Sequence, residues 1–258
     1  MKYQGPKRFC AWMTNNVQTC SKTQREYRYH PRSDAHSIAI CVFVAADLLH
    51  GSAEIRAAAR KENFAFAINS EFRFSDGKAK ALDLAGGIAA PETISTENDV
   101  GIPITKAPLT ELRIACEAKA VMTEHVKSEP RVFSELNDSH QIAHRAPNCI
   151  ASGIVVVNAA KRFLSPLRNN IKGQRKLEWT SHTQLHVTER MVQHLRGLPR
   201  STESSPAGFD AFGVFVASCD NIGKATLVER SPAPQGGNRD HYDSFIEDIV
   251  KLYRVRFS

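Results

Sequence analysis

Ten residues near the middle of the chain, 112–121, read LRIACEAKAV, and their alternation leaves little choice of structure. Leu112, Ile114, Cys116, Ala118 and Ala120 alternate with Arg113, Ala115, Glu117 and Lys119. A strand sends successive side chains to opposite faces, so this pattern predicts a β-strand with one apolar face. Glu117 and Lys119 then point the same way, one pleat apart. An earlier stretch, 80–88, reads KALDLAGGI. There Lys80, Leu82 and Leu84 share one predicted face, and Asp83 shares the other with Ala81 and Ala85. Small neighbours around a lone carboxylate leave room for a metal ion.

The flanking segments supply a scaffold. Residues 36–49 are apolar nearly all round, which predicts a buried helix. Gly51 ends it, and Ser52 is placed to cap a second helix over 53–62. Phe64, Phe66, Ile68, Phe72 and Phe74 predict one apolar strand face. Ser75-Asp76-Gly77 predicts a tight turn into the strand that carries Asp83. Gly86-Gly87 weakens that strand's end or marks a bulge. Residues 89–110, with three prolines, read as a loop. Pro130 and Pro147 bracket a helix over 131–146. The continuous apolar run 150–157 fits a central strand reached by a parallel crossover. A helix over 187–198, strands over 211–218 and 225–230, and a helix over 242–253 follow. Residues 1–34 interleave Tyr27 and Tyr29 with Arg25, Arg28 and Arg32; a DNA-contacting arm is one reading, a solvated surface segment the preferred one.

Asp83 in a hairpin, then Glu117-Ala118-Lys119 on the next strand, resembles the PD-(D/E)XK nuclease superfamily, which includes many restriction endonucleases. The order helix, hairpin, strand, helix, strand over about 38–158 is also what that resemblance implies. It implies an α/β fold: a mixed central sheet flanked by helices, with a restriction-endonuclease-like core. It further implies a Mg²⁺-dependent DNA endonuclease, most nearly a type II restriction enzyme cutting duplex DNA as a homodimer. Asp83, Glu117 and Lys119 would be catalytic, with Mg²⁺ held by Asp83, Glu117 and the Ala118 carbonyl. Glu54, Glu71 and Gln141 are subsidiary candidates. Leu82 stands where the superfamily usually has Pro. Asp76-Gly77-Lys78 matches the short pattern too, but in a turn. The plain alternative is a strand face bearing a surface ion pair.

Charge distribution bears on the same question. The formal net charge is +7, and residues 161–200 alone carry nine Lys/Arg against Glu178 and Glu189. Residues 1–34 are also basic, whereas 35–160 hold fifteen acidic against twelve basic residues. A basic region beside an acidic, carboxylate-bearing core suits a nucleic-acid enzyme. Arg168, Lys172, Arg175 and Lys176 are the candidate DNA contacts. The resulting division is a basic segment, 1–34, a catalytic core, 35–160, and a DNA-recognition elaboration, 161–258, continuous with the core. The six cysteines form no Cys-x-x-Cys pair, and Cys41 and Cys116 fall in apolar runs as reduced thiols. The N-terminus has no apolar h-region and no run is long enough to span a bilayer, so a reducing cytoplasm is expected. His140/His144 and His182/His186 have the spacing of helical zinc pairs but no evident third ligand. Two rivals remain: a non-catalytic DNA-binding protein on a nuclease-like scaffold, and a transition-metal enzyme using the histidines.

Overall fold

The computed structural model describes the chain except residues 31–32, 62, 91–94, 98–103, 174–175, 203–206 and 258. Its centre is an eight-stranded mixed sheet. The strands are β3 (Phe64–Arg73), β4 (Ala79–Ala89), β5 (Ser95–Glu97), β6 (Ile104–Lys106), β7 (Leu109–Val121), β8 (Ile150–Asn158), β11 (Ala211–Ser218) and β12 (Thr226–Val228). Their spatial order is β12-β11-β8-β7-β4-β3-β6-β5. Strands β7, β8 and β11 are parallel; β3, β4 and β7 are antiparallel. The chain is thus α/β with helices on both faces.

Each central element follows from its sequence. β8 is buried along its whole length, as its unbroken apolar run requires. The helix α2 (Ala35–Gly51) packs on one face of the sheet with α1 (Gly5–Asn15) and α7 (Tyr242–Phe257). Its one buried acid, Asp47, accepts hydrogen bonds from the Gly5 amide at 2.7 Å and the Tyr242 hydroxyl at 3.0 Å, joining all three helices. Ser52 caps α3 (Ala53–Arg60), its hydroxyl accepting the Ile55 N–H at 3.1 Å. On the other face lie α4 (His125–Ala143) and α6 (His186–Arg196). Helix α4 crosses between β7 and β8, giving the expected parallel crossover.

Several expectations need correction. Residues 1–34 are neither an arm nor a solvated segment: they contain α1 and the short pair β1 (Gln18–Thr19) and β2 (Glu26–Tyr27). Tyr3, Phe9, Met13, Tyr27 and Tyr29 are buried. Asn221 pins this segment, accepting the Tyr29 amide at 2.7 Å and donating to the Tyr29 carbonyl at 2.9 Å. Residues 89–110 are not simply a loop, because β5 and β6 extend the sheet edge there. Helix α4 begins at His125, so Pro130 lies inside it. The first turn closes before the proline, with the Ser128 amide bonded to the Glu124 carbonyl at 2.9 Å, and Pro130 forgoes only its own bond. Leu82 and Leu84 serve different clusters, as do Phe66 and Phe72. The hairpin coils at Asn69, whose φ of 48° interrupts the pleat of β3.

The remaining chain completes the basic region with β9 (Arg162–Leu164), α5 (Pro166–Asn169) and β10 (Trp179–Ser181). Asn169 is fully buried and closes the loop that follows α5. Its amide donates to the Ser165 and Glu178 carbonyls at 3.0 and 2.9 Å, and its oxygen accepts the Glu178 N–H at 2.8 Å. All six cysteines are free; burial pushes Cys116 and Cys149 up to about 12, so both remain thiols. Among the described residues, no single helix is long and apolar enough to cross a membrane.

Gly86-Gly87 marks a bulge: the β4–β7 register shifts between them. A Cβ on Gly87 would run into the Glu111 carbonyl oxygen, a backbone atom that cannot swing away. Gly87→Ala should therefore destabilise the fold by about 1–3 kcal/mol, read as a lower midpoint in equilibrium urea unfolding.

Candidate functional site

Strands β4 and β7 part company beside their acidic residues. The last registered pair between them is Leu84↔Cys116. Beyond it β4 continues with β3 alone, and β7 with β8 alone. The fork leaves backbone groups of β7 without a ladder partner, and Asp83 fills the gap. Its Oδ2 accepts the Ala118 N–H at 2.9 Å. A strand residue projects its N–H and C=O to the same side, so the Ala118 carbonyl also faces β4.

Glu117 and Lys119 stand on the α4 side of β7, while Cys116 and Ala118 pack into the core against α2. The structure brings Asp83, Glu117 and Lys119 together. The Lys119 Nζ lies against Glu117 Oε1 and 3.8 Å from Asp83 Oδ2. Glu117 is 7% exposed. Its parallel-register neighbour on β8 is Gly153, and the space a side chain would take there is filled by the rings of Phe209 and Phe212.

A fourth charged group completes the cluster. Glu135, from α4, places Oε2 3.3 Å from Lys119 Nζ, and Arg131 approaches its other oxygen at 3.5 Å. Sequence reasoning missed Glu135, which lies sixteen residues after Lys119 with no local pattern linking them. The available signal was its place on the crossover helix beside the buried Leu136 and near Val132.

The electrostatics follow from this arrangement. Burial raises the Asp83 carboxyl above its usual range, and the neighbouring Glu117 raises it further, outweighing the opposing pull of Lys119 and the Ala118 N–H. Burial acts to lower Lys119, but Glu117, Asp83 and Glu135 together hold it above its usual value. The two ends of this pair differ because Lys119 faces three carboxylates, whereas Asp83 faces a like charge as well as an opposite one.

The subsidiary candidates lie outside the cluster. Glu54 accepts from Ser52 Oγ at 2.9 Å and Arg254 Nε at 2.8 Å, serving the start of α3. Glu71 is exposed on β3 and pairs with Arg73 at 3.6 Å. Gln141 is exposed on α4, six residues after Glu135 and so roughly 240° around the helix. Arg168, Lys172 and Lys176 are exposed on α5 and the loop closed by Asn169; Arg175 lies outside the described residues. Leu167 on α5 borders a cleft of about 300 Å³ with Ala120, Lys127 and Arg131. The base of the basic loop therefore adjoins the end of the strand that carries Lys119.

One histidine of each pair is engaged elsewhere, and His182 lies outside α6, which begins at His186. His144 Nε2 meets the Gly208 carbonyl at 2.7 Å, and His182 Nδ1 the Ala160 carbonyl at 3.2 Å. Among the described residues, no group of three or more His, Cys, Asp or Glu stands ready to hold a metal. Comparison with protein-family models, with curated proteins and with solved structures found no match.

Because its folded carboxyl is raised, protonating Asp83 favours the folded chain, and keeping it ionised at neutral pH costs stability. Asp83→Asn, which can still accept the Ala118 N–H, should raise the midpoint of thermal unfolding at pH 7 in metal-free buffer. The gain should vanish at acid pH, where Asp83 itself is protonated. Scanning calorimetry at the two pH values checks both parts.

Proposed function

We propose that the chain is a Mg²⁺-dependent DNA endonuclease of the PD-(D/E)XK kind, most nearly a type II restriction enzyme. The observation that carries this reading is the convergence of Asp83, Glu117 and Lys119 in the fork between β4 and β7. The ammonium of Lys119 touches Glu117 and lies 3.8 Å from Asp83, so a cation between the two strands lies within reach of both carboxylates. Mg²⁺ takes oxygen ligands and keeps several waters, so two carboxylates and the Ala118 carbonyl suit it. When bound, the ion supplies charge neutralisation at the phosphoryl oxygens and a more acidic water.

The chain's own groups do the rest. Asp83 and Glu117 are held by strands whose register is fixed by β3 and β8. Asp83 is further oriented by the Ala118 N–H. Lys119 stabilises charge that develops on the phosphate, a role that low local exposure strengthens. The basic loop beyond α5, whose base adjoins β7 across the Leu167 cleft, holds the DNA backbone. Cutting both strands of a duplex calls for one such site per strand, hence a two-fold dimer on a palindromic sequence.

Digestion of plasmid DNA with Mg²⁺ tests the reading. Discrete fragments support a restriction enzyme, a smear a non-specific nuclease, and intact plasmid overturns it. Asp83→Ala and Glu117→Ala should each abolish cleavage while leaving the circular dichroism spectrum unchanged. Lys119→Met should slow single-turnover cleavage by about 10²–10³, with DNA affinity in Ca²⁺ retained. Cleavage at the normal rate by the Lys119 variant would remove it from the chemistry.

Replacing Arg168, Lys172, Arg175 and Lys176 together by Gln should weaken DNA binding and flatten its dependence on salt. For duplex DNA, the log–log slope falls by about 0.9 for every phosphate that the protein no longer neutralises. An unchanged slope in a fluorescence-anisotropy titration would place the DNA interface elsewhere on the protein.

A further inference from the structure

The Lys119 ammonium sits where a cation shared by Asp83 and Glu117 would have to sit. Its Nζ is in contact with Glu117 Oε1 and 3.8 Å from Asp83 Oδ2. A divalent cation placed between those carboxylates would lie within a few ångströms of the ammonium, where like charges repel strongly. Lys119 must then move, and the structure holds a receiving group ready. Glu135 Oε2 is already 3.3 Å from Nζ, on the α4 side of the cluster. Its other oxygen is engaged by Arg131 at 3.5 Å, which orients the carboxylate toward Lys119. A lysine side chain on a four-carbon stem can exchange these partners by rotation about its own bonds, with no shift of β7.

We infer that Lys119 is a tethered stand-in for the metal, and that Glu135 is the positioning residue that receives its ammonium when a divalent cation enters. The inference rests on the metal-site reading above and says how that site is regulated. In the ion-free protein, Lys119 neutralises two carboxylates that would otherwise repel each other. In the loaded protein, Glu135 holds the same ammonium beside the ion, at the edge of the site where the phosphate would lie. Metal entry and the placement of Lys119 are then one event. Glu135 acts only through Lys119 and is not itself a ligand.

Titration with Mn²⁺, a hard octahedral ion like Mg²⁺, tests this without DNA or activity, by the electron paramagnetic resonance signal of the free ion. Four proteins are compared: wild type, Lys119→Met, Glu135→Gln and the double variant. Lys119→Met should bind Mn²⁺ about tenfold more tightly than wild type, because the competing ammonium is gone. Glu135→Gln should bind several-fold more weakly, because the displaced ammonium has no partner to receive it. The double variant should bind like Lys119→Met. Equal weakening by Glu135→Gln with and without Lys119 would make Glu135 a direct contributor to the ion and overturn the exchange. Unchanged affinity in Lys119→Met would overturn it too, while leaving the metal site standing. If neither wild type nor Lys119→Met binds Mn²⁺, the metal reading itself falls, and the exchange with it. Thermal unfolding of each apo variant confirms that all four proteins are folded.

Discussion

The site depends on a fork in the sheet. Two antiparallel strands that stayed paired would bury Asp83 and Glu117 side by side, with the Ala118 amide spent on the ladder. Because β4 and β7 separate after Leu84↔Cys116, that amide is free to bind a side chain. The fork also admits Lys119 between the carboxylates. Removing like charges from water is costly unless each finds an opposite partner. The arrangement meets that condition only in part, with one ammonium among three acids, two from the sheet and Glu135 from the helix above, and Asp83 is left above its usual range. The separation of the strands is therefore the constraint from which the charge cluster follows.

A fork is stable only if its two prongs are held from outside. β4 is held by β3 through the Asp76-Gly77 hairpin, where Asp76 Oδ1 accepts the Lys78 amide at 3.0 Å. β7 is held by β8 over eight registered pairs, from Ile114↔Ile150 to Val121↔Val157. At the far end, buried Asn158 ties three strands together. Its amide donates to the Met122 and Cys219 carbonyls at 3.0 and 2.9 Å, and its oxygen accepts the Cys219 N–H at 3.0 Å. A polar residue buried this deeply is tolerable because its oxygen and both amide hydrogens are satisfied. The rigidity it lends lies just beyond Lys119, where strand ends would otherwise fray.

The parts of this fold legible in the sequence were those with a strong period. The alternation in 112–121, the unbroken apolar run of β8 and the nearly all-apolar α2 each matched one element. Less legible were features set by partners distant in sequence. Leu82 and Leu84 belong to opposite cores because the hairpin coils at Asn69, a backbone conformation with no signature in side-chain hydrophobicity. Helix α1 escaped notice because its apolar residues form one short continuous run, Phe9 to Met13, flanked by polar residues, and so show no helical period. Pro130 suggested a helix start because proline is favoured there, yet a first turn, closed by the Ser128 amide on the Glu124 carbonyl, had already formed. Glu135 was invisible for a different reason: its contact with Lys119 exists only once the crossover folds α4 back over β7.

That crossover links the acidic fork to the basic region. Helix α4 carries Glu135 over Lys119, and its Arg131 faces both Glu135 and the cleft bordered by Leu167. Leu167 in turn precedes the loop that displays Lys172 and Lys176. The charged groups thus run from Glu117 through Lys119 and Glu135 to Arg131, which shares a cleft with Leu167 at the base of the exposed basic loop. An isolated surface ion pair would need none of this: it is worth little and requires no second helix to steady it. A buried acid–base cluster that opens toward a cationic surface has a sense of direction. The segregation of charge along the sequence, acidic in 35–160 and basic in 161–200, is the linear trace of that arrangement.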